Sequence, residues 1–227
     1  GKQTQESLEK EGISTRLVLE DAEKASGIAL ITVNEHGENT IVVAPGANAS
    51  LSPYDIQAAL PSIPSHDFIL CQLEIPIETI IFLANYAQAE MKNLILNPAP
   101  AIELKQELIE KVTYITPNET ELEIVFNDTM ENVLQKYPNK VIMTNGSLGV
   151  NYHNGKEIVN VPSYKVNVVD TTGAGDSFNG ALAYSLLAGN KLSEAIRFSN
   201  KVASKTVQDV GAQTAMPKLD ELEQEDE

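Results

Sequence analysis

Short apolar runs alternate with helical stretches along most of the chain, and this constrains the fold more than any other feature. Asp67 to Leu73, Asn93 to Leu96, Val112 to Ile115 and Lys140 to Thr144 read as buried strands. Between them lie helical patterns at Ile77 to Met91, Ile102 to Lys111, Glu119 to Phe126 and Thr129 to Lys136. Continuous apolar strands separated by helices predict a mostly parallel central sheet in a three-layer αβα fold. Ligands in such sheets bind beyond the carboxyl ends of the strands. Ahead of this block, a helix over Gln3 to Lys10 is stopped by Gly12. A hairpin then pairs Gly27 to Val33 with Thr40 to Ala44 through the loop Asn34 to Glu38. Ser52 followed by Pro53 opens a further helix. Behind it come β runs at Gly149 to Tyr152 and Glu157 to Val161, a strand into Asp170, and helices from Gly173 and over Leu192 to Gln208.

The last strand-to-helix junction carries the chemistry. Residues 170–180 read Asp-Thr-Thr-Gly-Ala-Gly-Asp-Ser-Phe-Asn-Gly, with the apolar run Val166 to Val169 before them. Phe178, Ala181, Leu182, Ser185 and Leu186 then fall on one helical face. Glycines at a helix start let a ligand approach backbone whose first N–H groups have no partner inside the helix. Those donors and the helix dipole make an anion site. A carboxylate beside a phosphate, here Asp176, makes sense as the base for a hydroxyl attacking that phosphate. The alternative is a tight turn with an acidic helix start. Other polar residues gather at strand ends: Glu74, Asn97 to Pro100, Asn118 with Glu121, and Thr144 to Gly146. Ordinary loop and cap chemistry also accounts for each of them singly.

The 227 residues suffice for one large domain or two small ones, and 42% hydrophobic content suffices for a core. A formal charge of −16 argues against nucleic acid as the main partner. Part of the acidity lies in residues 220–227, read as a solvated tail. Cys71, the only cysteine, sits in an apolar run and reads as a core residue. The three histidines lack ligand spacing, and no apolar stretch is long enough to span a bilayer. A cytoplasmic location is expected. Gly155-Lys156-Glu157 fails the Walker A pattern, and Phe178 stands where a dinucleotide fingerprint needs its third glycine.

Asp170 to Phe178 resembles the C-terminal signature of the ribokinase-like (PfkB) carbohydrate kinases. Cys71-Gln72-Leu73-Glu74, Leu96 to Ala101 and Thr116 to Glu121 are similar to the ribose-phosphorylating branch of that family, and Pro45 to Asn48 and Gly211 to Gln213 fit too. The resemblance covers nearly the whole chain up to the acidic end. It implies ATP-dependent phosphorylation of D-ribose at its 5-hydroxyl, with Asp176 as catalytic base and substrate contact. It also implies an anion hole at Gly173, Ala174 and Gly175, and a sugar contact from Glu74. Asn118, Thr144, Asn145, Gly146, Ser147, Leu148, Gly149, Gly175 and Asn200 would serve the nucleotide. Asn118 and Glu121 would organise Mg²⁺ through water. Asp170, Thr172, Thr206, Asp209, Gly211 and Ala215 occupy the positions of a monovalent cation site, usually K⁺, several through backbone carbonyls. The hairpin would be the family's lid, through which the full-length form pairs as a homodimer.

The chain departs from the family in particular places. It opens at Gly1 inside a helical pattern, without the family's first strand, sugar-contacting Asp and Gly-Gly-Lys-Gly-Ala-Asn type segment. The reading is therefore one N-terminally shortened kinase domain. Ala215 stands where serine is common, Asn145 where an apolar residue is usual, and the stretch from Glu121 to Val141 is short. Another sugar or nucleoside kinase of this fold, or a non-catalytic remnant, stays open beside the ribose reading.

Overall fold

The structure is a computed structural model that describes residues 1–33, 39–62 and 68–223. The expected loop Asn34 to Glu38 lies outside the described residues, as do Asp67 and residues 224–227. The chain divides into two compact units, Gly1–Pro64 with Leu73–Leu83 and Ser65–Gln72 with Ala84–Glu227.

The first unit holds helix α1 (Lys2–Lys10), the antiparallel strands β1 (Ile28–Val33) and β2 (Asn39–Ala44), and helix α2 (Pro53–Ala59). The β1–β2 register runs from Ile28 opposite Ala44 to Val33 opposite Asn39. The start of α2 is a capping box. Ser52 donates its amide (2.8 Å) and its hydroxyl (2.6 Å) to Asp55 Oδ2, and the Asp55 amide donates back to Ser52 Oγ. Two orphan donors are thus satisfied in one turn.

The chain passes from the first unit to the second within α3 (Ile77–Ala89). In the second unit, β3 (Phe68–Cys71), β4 (Asn93–Leu96) and β5 (Tyr114–Ile115) pair in parallel. Parallel bridges, Ile115 to Val141 and Asn118 to Thr144, carry the order on to β6 (Ile142–Thr144). β7 (Val150–His153) and β8 (Ile158–Val161) then pair antiparallel beyond it. The helices of this unit are α4 (Gln106–Lys111), α5 (Glu119–Phe126), α6 (Met130–Lys136), α7 (Ala174–Leu187), α8 (Leu192–Thr206) and α9 (Leu219–Glu223).

Side chains in a strand alternate between faces, and this sorts the helices into layers. Ile142 packs with Ile95, Tyr152, Phe178, Leu182 and Ile196, which brings α7 and α8 to one face. Its neighbours Val141 and Met143 pack with Leu122, Val133 and Leu134, which brings α5 and α6 to the other. The unit is thus the expected three-layer fold, with Ala181, Leu182 and Ser185 of α7 buried along the face the periodicity marks. Cys71 is buried, and desolvation pushes its thiol up to about 12, which fits a core residue.

Three expectations are corrected. Val166 to Val169 forms no strand: Val168 and Val169 are exposed, and the Val169 amide donates to the Val207 carbonyl just past α8 rather than to a sheet. Residues 102–105 are not helical, because the Leu104 amide donates to Val125 O at the end of α5 and α4 starts only at Gln106. The acidic run is not all solvated: α9 covers Leu219–Glu223, and Leu222 is buried against Ala181 and Val202.

Candidate active site

The junction before α7 is built on Gly173, the N-cap residue, at φ 80° and ψ −2°. A Cβ here would lie 2.6 Å from the Ala212 carbonyl oxygen, so only glycine fits. The same contact brings residues 170–173 against residues 211–212. Asp170 fastens that contact: Oδ1 accepts from the Thr172 amide (2.9 Å) and hydroxyl (2.7 Å), and Oδ2 accepts from the Gly211 amide (3.0 Å). The Thr172 hydroxyl, then the Thr172 and Gly211 amides, hold the Asp170 carboxyl below its ordinary pKa.

At the start of α7 the amides of Gly173, Gly175 and Asp176 have no protein acceptor among the described residues. Ala174 differs from expectation, because its amide already donates to Thr171 O at 3.2 Å. The Asp176 side chain is exposed in the first turn, with no hydrogen-bond partner among the described residues. Open donors and an unpaired carboxylate therefore share one helical turn.

Beside this turn lies a cleft of about 380 Å³. Ala174, Gly175 and Phe178 of α7 form one wall, and Thr144, Gly146, Ser147 and Gly149 form another. Gly149 fixes the second wall. It sits at φ 89° and ψ −135°, and a Cβ would meet Val161 O at 2.1 Å and Ser163 N at 2.7 Å. Asn200 lines the cleft from α8 and ties it to the sheet by donating Nδ2 to the carbonyls of Val161 (3.0 Å) and Pro162 (3.2 Å). Asn145 and Leu148 belong to the same loop as Gly146 but are not part of the lining.

Sequence reasoning missed part of this cleft. Ser163 to Val166 and Val168 line it as irregular backbone, Val166 and Val168 within the run read as a strand. Ala203, Ser204 and Val207 line it with Asn200. Their spacing of three, four and seven residues from Asn200 marks one helical face, a signal present in the sequence.

Asn118 and Glu121 lie at the carboxyl end of β5, outside the cleft lining. They form the capping box of α5: Asn118 Oδ1 accepts from the Glu121 amide (2.8 Å) and Glu121 Oε2 from the Asn118 amide (2.8 Å). Burial raises the Glu121 pKa, against the opposing Asn118 hydrogen bond. Thr206 is fully buried, Ala215 is buried and Asp209 is exposed. Glu74 is exposed, three residues past β3, and belongs to the first unit. No group of three or more His, Cys, Asp or Glu side chains among the described residues could hold a metal by itself. No helix among them is long and apolar enough to cross a membrane.

Comparison with known proteins agrees with this geometry. The model of the pfkB family carbohydrate kinases matches residues 1–219. The ribokinase of Bacillus subtilis (strain 168) is 42% identical over 219 residues, covering 96% of this chain and 74% of the relative. The crystal structure of a ribokinase from Thermotoga maritima superposes with a TM-score of 0.81 at 34% identity, covering 96% and 74%. A ribokinase from Arabidopsis thaliana, complexed with ribose and ATP, gives 0.77 at 26% identity, covering 89% and 69%. A match of this extent, on a chain whose glycine turn, cleft and carboxylate meet at one helix start, means that the chain belongs to the pfkB family of carbohydrate kinases.

Proposed function

We propose that the chain is a ribokinase, moving the γ-phosphoryl group of ATP to the 5-hydroxyl of D-ribose. The observation that carries this is the first turn of α7, where open amides at Gly173 and Gly175 share one turn with the Asp176 carboxylate, and Ala174 and Gly175 of that turn line the cleft. The identity to ribokinases supports ribose as the acceptor. Asp176 accepts the hydroxyl proton as the oxygen attacks phosphorus and the bond to the β-phosphate oxygen breaks. The amides of Gly173, Gly175 and Asp176 face the charge that grows on the moving group, aided by the positive end of the helix dipole. The Ala174 amide, spent on Thr171, orders the turn instead. The apolar lining from Val150, Val166, Phe178 and Val207 suits a flat base, with Thr144 and Ser147 offering hydroxyls. Glu74 is assigned to the sugar.

Two metal ions fit the residues present. Mg²⁺ is commonly held by one or two carboxylates, waters and substrate phosphates rather than by a full protein cage. Glu121, whose Oε1 is outside the capping box, and Asn118 match that demand through water. Asp170 pins the 170–172 and 211 segments together, and its carboxylate, with backbone carbonyls from among Thr172, Thr206, Asp209, Gly211 and Ala215, would supply the hard oxygens that K⁺ prefers. The ions would neutralise phosphate charge.

The β1–β2 ribbon leaves Ile28, Leu30, Val42 and Val43 more than half exposed, which favours a second copy of the chain as its cover. Release of ADP, followed with D-ribose, D-fructose and nucleosides in parallel, tests the substrate. Ribose should outrun the others, and Asp176→Asn should reduce its turnover by about 10²–10⁴-fold. A nucleoside turned over faster than ribose overturns the acceptor, and full activity in Asp176→Asn overturns the base.

A further inference from the structure

Two buried polar links grip the first turn of α7, and no part of the proposed chemistry uses them. On one side, the Thr116 hydroxyl donates to Asn179 Oδ1 at 2.7 Å, and Asn179 Nδ2 donates to Gly175 O at 2.9 Å. Thr116 follows the last residue of β5, and its amide donates to Leu96 O at the end of β4 at 3.1 Å. On the other side, the Thr206 hydroxyl donates to Ser177 Oγ at 2.9 Å, and Ser177 donates to Ala174 O at 3.0 Å. Thr116, Ser177, Asn179 and Thr206 are all at most 6% exposed. Every buried polar side-chain atom among the described residues is satisfied.

An apolar set of similar shape would fold about as well, since replacing both partners of a buried hydrogen bond is often near neutral. Polar atoms here give something packing does not: direction. They fix the carbonyls of Ala174 and Gly175, and each carbonyl shares its peptide plane with the amide of the next residue. The Gly175 carbonyl thus sets the plane of the Asp176 amide, and the Thr116 link sets its height above the sheet. We infer that Asn179, braced by Thr116, is a positioning residue that holds the Asp176 amide and carboxylate in register with the strand ends, with Ser177 and Thr206 as the matching brace on the opposite side.

This rests on the kinase reading for its catalytic consequence but not for its structural one. The test compares the parent with Asn179→Leu and with the double variant Thr116→Val/Asn179→Leu. The single variant leaves the buried Thr116 hydroxyl only its long 3.5 Å contact to Leu96 O and should lower the thermal midpoint, whereas the double variant should recover it. Ribose turnover in the double variant should stay roughly tenfold to hundredfold down in kcat at unchanged KM for ATP, because misplacement rather than binding is at fault. Asn179→Gln, which keeps both an acceptor for Thr116 and a donor for Gly175 O, should rescue part of kcat. A double variant with parental kcat and a recovered midpoint overturns the brace. Amide exchange by NMR separates the two readings. If the parent phosphorylates no sugar, the kinase reading fails, and protection at the bonded amides of this turn, Ala174 to Thr171 O and Ser177 to Gly173 O, then decides the brace alone: loss in the double variant upholds it, and parental protection overturns it.

Discussion

Gly149→Ala offers the sharpest check on how the cleft is built, because Gly146 in the same loop is an internal control. Both glycines have positive φ, 89° and 46°. At Gly146 a Cβ meets nothing within 4 Å, so only the left-handed backbone is penalised, about 1–2 kcal/mol. At Gly149 the same atom would sit 2.1 Å from Val161 O and 2.7 Å from Ser163 N, both backbone of the segment that lines the cleft. Relief requires the β6–β7 turn and the end of β8 to part. Backbone strain of about 1–3 kcal/mol and overpacking of similar size add to about 2–6 kcal/mol, centred on ~4. For a chain of this length the central value is a fall of roughly 8–16 °C in thermal midpoint, against about 2–8 °C for Gly146→Ala. Scanning calorimetry reads the midpoints, and nucleotide titration should show weaker ATP binding in Gly149→Ala beyond that in Gly146→Ala. Equal midpoints for the two variants would falsify the steric argument, since the backbone term alone cannot distinguish them by much.

Lys140 donates Nζ to the carbonyls of Ile109 (2.8 Å), Glu110 (3.0 Å) and Val112 (2.6 Å) at the end of α4, so Lys140→Met should cost about 1.5–3 kcal/mol in urea unfolding. Asp55 is held below its ordinary pKa by the Ser52 hydroxyl and then the Ser52 amide. A depressed folded pKa gives stability that is present above the unfolded value, about pH 4, and is lost as pH falls through the folded one. The urea-midpoint gap between the parent and Asp55→Asn should therefore be constant near neutrality and close below about pH 4. A gap that widened in acid would contradict the sign. If two copies pair through the β1–β2 ribbon as proposed, Leu30→Lys should shift sedimentation toward monomer; a monomeric parent overturns the pairing, and an unshifted variant places the interface elsewhere.

The strands and caps were legible because their signals are local. Asn118 with Glu121 and Ser52 with Pro53 are capping patterns, and each opens the helix expected of it. Val166 to Val169 misled because β-branched residues favour strands only where a partner strand exists, and here the backbone bonds to the end of α8. Ile102 to Lys105 read as part of the following helix, but the Leu104 amide donates to Val125 O and α4 starts only at Gln106, a long-range bond that local sequence does not carry. α9 was hidden because its acidic residues outweigh the Leu219 and Leu222 pair that docks it. The glycine turn pointed to open amides at this helix start, but not to Ala174 spending its amide on Thr171. That follows from backbone geometry, which composition does not encode.

The residues assigned to phosphate all belong to one folding unit, Ser65–Gln72 with Ala84–Glu227, while Glu74, assigned to the sugar, belongs to the other. A lineage built this way is free to exchange one alcohol for another by mutating the smaller unit. The donor-handling apparatus, walled into its own sheet and helices, would inherit none of the damage.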